Sequence, residues 1–77
     1  MGKSPADRES EYGVAKAAFD ELQAAEATAA QYRSLILQAV SQAEVERLTG
    51  LLVESQREAD AARERFMAAA RVFAASL

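Results

Sequence analysis

The sequence predicts an all-α protein, an antiparallel two-helix hairpin of coiled-coil type that pairs into a four-helix assembly. Three observations predict it. Of the 77 residues, 51 are Ala, Glu, Lys, Leu, Arg, Gln or Met, against three Gly and one Pro. That bias favours side chains that lose little freedom in a helix. Helix-start signals stand at residues 4–7 and again at 41–44. Apolar or small residues then recur at alternating spacings of three and four, the 3.5-residue period of a coiled-coil seam.

The first helix is expected over about residues 5–39. Ser4-Pro5-Ala6-Asp7 supplies a hydroxyl cap, a proline at the first helical position and a carboxylate in the first turn, all suited to a helix N-terminus. Its seam runs through Ala15, Ala18, Leu22, Ala25, Ala29, Tyr32, Ile36 and Ala39. A tight reversal is expected at about 40–42. Ser41-Gln42-Ala43-Glu44 reads as a capping box, in which Ser and Glu side chains answer each other's backbone N–H groups. The second helix follows to about residue 75. Its seam runs through Val45, Leu48, Leu52, Ser55, Ala59, Ala62, Phe66, Ala69, Phe73 and Ser76, with Arg71 in its closing turns. The two seams are out of phase: the first frame, carried onward, would put Glu46 and Gly50 at the interface. A frame break beside a capping box marks a turn, within a single hairpin domain covering 1–77.

Two other arrangements compete. One is an unbroken helix about 105 Å long at 1.5 Å per residue, favoured by the lack of Gly, Pro, Asn or Asp in the proposed turn. The other turns at Thr49-Gly50. In the hairpin, positions whose numbers sum to 84 face one another, and large residues meet small ones, as in Leu22 with Ala62 and Ala18 with Phe66. The middle is nearly all Ala and Ser, which lets the helix axes come close.

Beside the seam, Glu21 is expected near Arg65 and Glu26 near Arg63, as surface ion pairs worth about 0–1 kcal/mol each. Val14 should meet Val72, Leu35 should meet Leu51, and Tyr12 and Phe19 should lie near Ala70 and Leu77 at the open end. Leu37, Val53 and Met67 point away from the seam. One small hairpin cannot cover all of these, and a chain this short ordinarily needs a disulfide, a metal or a second copy. The expected homodimer interface is Tyr12, Val14, Phe19, Val72 and Leu77. The expected surface for a further partner is Leu35, Leu37, Leu51, Val53 and Met67.

Composition narrows the chemistry. The chain has no His, Cys, Trp or Asn, so thiol nucleophiles, disulfides, zinc sites and the commonest general base are excluded. No enzyme activity, catalytic residue, metal or cofactor is expected. The net charge is −3, divided as −2 over residues 1–40 and −1 over 41–77. Arg57, Arg63, Arg65 and Arg71 are interspersed with Glu58, Asp60 and Glu64, leaving no basic face for nucleic acid. No apolar run approaches the roughly 18 residues of a membrane span, and residues 1–5 lack a signal-peptide core. Gly2 resembles a myristoylation start, but Ala6 stands where Ser or Thr is needed. Gly2-Lys3-Ser4 resembles the end of a phosphate-binding loop without its upstream glycine. Glu54 and Glu58 resemble half of a di-iron carboxylate set without the histidines such sites require. The expected location is the cytoplasm. The expected partners are a second copy and a larger protein, with no nucleic acid, membrane or small-molecule substrate.

Two capped, equal, Ala-rich helices, opened by Ser4–Asp7 and Ser41–Glu44, resemble small phage-encoded anti-activators that bind host regulators such as quorum-sensing receptors or pilus-assembly ATPases. They also resemble the small helical co-chaperones of type III secretion. The first resemblance implies an inhibitor that occupies a surface of a larger host protein; the second implies a scaffold shielding a partner helix. A nucleic-acid-associated hairpin is the third possibility. The resemblance carries over no individual residue.

Overall fold

A computed structural model describes residues 5–77. It is a hairpin of two helices, α1 (Pro5–Gln38) and α2 (Gln42–Ala75), each of 34 residues. The expected cap at Ser4, and the Gly2 and Gly2-Lys3-Ser4 features, lie outside the described residues. Asp7 occupies the first turn of α1, and Glu44 that of α2. Arg71 falls short of the last turn of α2, which holds no basic residue, so its charge lies beyond the dipole's short range.

The reversal occupies Ala39, Val40 and Ser41, one residue earlier than expected. Ser41 is extended, with φ −141° and ψ 154°, and its Oγ accepts a hydrogen bond from the Glu44 N–H at 3.2 Å. Its carbonyl oxygen accepts from the Val45 N–H at 3.1 Å. No described residue has a positive φ. The chain therefore turns without a left-handed residue, through a Ser41 in the extended region open to every L-residue, and needs neither Gly nor Asn. The unbroken rod is excluded. So is the turn at Thr49-Gly50, because Gly50 lies inside α2.

Every expected seam residue is buried or half-buried. The most enclosed are Ala62, Ala29 and Leu48, then Ala59, Ser55 and Ala15, and no large side chain is completely covered. The Cα trace measures 61 × 13 × 12 Å. Subtracting a helix's Cα diameter from the larger transverse extent leaves about 8 Å between axes, the close end of helix packing. Alanine at the contact permits that approach. The two transverse extents are nearly equal, whereas a flat pair would be far thinner one way. The helices therefore wind around each other, as a 3.5-residue seam requires.

Candidate protein-interaction surfaces

Seven-residue steps keep a side chain on one flank of a wound pair, so the hairpin has two broad sides. The first carries Val14, Glu21, Thr28 and Leu35 of α1 beside Leu51, Glu58, Arg65 and Val72 of α2. The second carries Tyr12, Phe19, Glu26 and Arg33 of α1 beside Gln56, Arg63 and Ala70 of α2, with Leu77 just past the end of α2. An ion pair crosses each side. Arg65 Nη2 is 3.4 Å from Glu21 Oε2 on the first, and Arg63 Nη2 is 3.7 Å from Glu26 Oε1 on the second. Both are the pairs the register predicts. Arg63 also reaches Asp60 Oδ1 at 3.8 Å. All are solvent-exposed, so they set register more than they stabilise.

The second side opens into an apolar trough near the free ends of the helices. Tyr12 packs on Phe73 with ring centroids 5.7 Å apart, and Phe19 on Phe66 at 5.6 Å, both tilted. Ala15 and Ala70 contribute to the lining of a space of about 300 Å³ between the two ring pairs. Lys16 Nζ lies 5.6 Å from the Phe19 ring centroid and 2.9 Å from Asp20 Oδ1. The hydrogen bond to Asp20 and the carboxylate's charge raise the Lys16 pKa above its ordinary 10.5, so the ammonium stays charged beside the ring. Toward the helix ends, Tyr12 and Phe73 border Leu77 and Pro5. Tyr12 thus stands near Leu77, and Phe19 near Ala70, as the flank positions predict.

The first side carries a trough of about 490 Å³, lined by Ala24, Ala25, Ala61, Ala62 and Thr28 and edged by Glu21, Glu58 and Arg65. The Thr28 hydroxyl donates to the Ala24 carbonyl at 3.0 Å, which folds it back onto its own helix. Leu35 and Leu51 border this side near the turn, and Val14 and Val72 border it near the free ends.

The residues expected to bind a partner do not form one patch. Leu37, 87% exposed, and Val53 stand near the turn on the outer edges of the second side. Met67 is on that side too, but some 14 residues from Val53, about 21 Å along the helix, and beside the aromatic trough. Leu35 and Leu51 are on the opposite side. The residues expected at a dimer interface also divide: Tyr12, Phe19 and Leu77 on the second side, Val14 and Val72 on the first. All ten nominated side chains are exposed except Leu51, which is half-buried. Val40, 93% exposed, joins Leu37 and Val53 at the turn. It went unnominated because it lies in the turn, outside both seams.

Compared with known protein families, with curated proteins and with solved structures, the chain matches none. Its surfaces therefore have to be read from their own chemistry. Among the described residues, no three carboxylates converge as a metal site would need, and no helix is long and apolar enough to cross a membrane. What the surface offers is apolar side chains at fixed positions on two stiff helices.

Proposed function

We propose that this chain is a non-enzymatic protein-interaction module, a homodimeric hairpin that binds a larger host protein and blocks what normally docks there. The mode is the one implied by its resemblance to phage anti-activators, and the cytoplasm is its place of action. One observation carries the reading. Among the described residues, ten large apolar side chains stand exposed and no large side chain is completely buried. The hairpin's accessible surface is 5614 Å², whereas a compact monomer of its mass exposes about 4,600 Å². The difference is of the order that one partner contributes to a standard interface, about 800 Å².

The first side suits a target helix. Its alanine-lined trough is wide enough for backbone to approach, and Leu35 and Leu51 supply apolar anchors at one end, the pattern of helix-in-groove recognition. A helix held there is lost to its normal partner, so inhibition follows from occupancy.

The test is affinity capture from the native host, repeated with Leu35→Asp and Ala61→Glu. Each should reduce capture at least tenfold while leaving the helical circular dichroism unchanged. The captured protein, purified, should be folded and active alone and lose activity when the hairpin is added. A target that is insoluble without the hairpin would make this a co-chaperone, and capture that survives both substitutions would remove the first side from the account.

A further inference from the structure

We infer that a second copy of the chain covers the second side of the hairpin, with the twofold axis along the hairpin's length, turn beside turn and free ends beside free ends. The inference rests on the reading of the protein as a paired interaction module and specifies the pairing surface and its direction. From free ends to turn, the second side is apolar, then charged, then apolar. Tyr12, Phe19, Met67 and Leu77 stand at the free ends, where two ring pairs wall the trough. Glu26, Arg33, Asp60 and Arg63 form a belt farther along, which with Ala29, Gln56 and Ala59 lines a polar hollow. Val53, Leu37 and Val40 lie beyond it, all exposed.

The belt holds two acids and two arginines, so its net charge is zero and it can face its own copy. Its Arg33 lies in the turn-ward part of α1, while Glu26, Asp60 and Arg63 sit near the middle of the hairpin. Those two facts choose the direction. A twofold axis along the hairpin keeps every residue at its own height, so aromatic trough meets aromatic trough, belt meets belt, and Leu37 and Val53 meet their counterparts. It also sets α1 of one copy antiparallel beside α2 of the other, so Glu26 faces the other copy's α2 at the height of Arg63. An end-for-end twofold about the middle would instead set Arg33 over the other copy's trough between Tyr12 and Phe19, removing a charge from water against apolar rings, which is costly. The first side has the weaker claim on a second copy, because Glu21 and Glu58 outnumber Arg65 along its trough and would face their own counterparts.

The chain's lack of cysteine makes the test clean. Gly13 lies in α1 near the free ends, Gly50 in α2 near the turn, both opposite their seams, and an added Cβ at either meets nothing within 4 Å. Gly13→Cys and Gly50→Cys, each spin-labelled, are measured by pulsed electron paramagnetic resonance alone and as a mixture. Each variant alone should give a short inter-label distance set by the bundle's width. The mixed dimer should give one lengthened by about 30 Å along the axis. The reverse, long distances alone and a short one mixed, would overturn the direction. Met67→Glu, at an exposed side chain, should weaken self-association at least tenfold in sedimentation with helicity intact. Dimerisation undiminished by it overturns the assigned side, and a single-chain mass for the parent protein at tens of micromolar overturns the pairing. Either result leaves host-protein capture to be judged separately, and loss of capture with the expected distances would condemn the inhibitory reading alone.

Discussion

Ala62 is 2% exposed between the two helices, and its methyl group limits how near α1 can lie. A larger side chain there must push the axes apart or leave its rotamer. Ala62→Leu should therefore destabilise the hairpin by about 1–3 kcal/mol, the usual cost of overpacking. Ala27, on the exposed face of α1, should accept the same change within about 0.5 kcal/mol. Urea unfolding midpoints of the two variants against the parent decide the matter, and equal midpoints would mean that the seam is not packed through its alanines. At this scale the sequence was a good guide. The spacing alone marked Ala29, Ser55, Ala59 and Ala62 as interface residues although Ala and Ser are ordinary on surfaces. Less legible was the company kept by Phe66 and Phe73. Both belong to the seam, yet their rings pack against Tyr12 and Phe19 on the second side.

The turn is where local chemistry and helix packing meet. Ser41 contributes one hydrogen bond, to the Glu44 N–H, at a helix end with free donors. Removing it with Ser41→Ala should cost about 1 kcal/mol, the usual value of a hydroxyl cap. Gly50 lies nine residues further on, inside α2, with open space where a Cβ would stand, so Gly50→Ala should gain about 1 kcal/mol from helix propensity. The signs are the informative part. If the chain reversed at Thr49-Gly50, the second substitution would be harmful and the first nearly silent. Thermal unfolding of both variants, followed at 222 nm, reads the two effects together. The start of α2 was visible in the sequence because a capping box is a chemical signal. The end of α1 was not, because it stops without glycine and without a left-handed residue.

As a whole the hairpin is long for its length of chain. Its radius of gyration is 17.4 Å, against about 11.5 Å for a compact domain of this size. Elongation is the direct result of making two equal helices and nothing else, and it keeps the surface large relative to the seam. The expectation from sequence sorts the exposed apolar residues largely by end of the hairpin, turn against free ends, with Met67 grouped among those at the turn. The winding sorts them by flank instead, which only a register fixed along both helices reveals. That re-sorting leaves one side free for a target while the other is covered by a second copy, and it carries a thermodynamic consequence. If folding and pairing are one event, stability depends on concentration by mass action. Each tenfold dilution then removes about 1.4 kcal/mol per dimer, which for an assembly of this size lowers the thermal midpoint by about 4 °C. Over a hundredfold range the expected fall is about 8 °C, and Met67→Glu should lower the midpoint at every concentration while leaving that dependence in place. A parent midpoint that stays within 1 °C over that range would show that the alanine seam holds the hairpin unaided. Pairing would then add nothing to its stability, and the aromatic side would need an occupant other than its own copy.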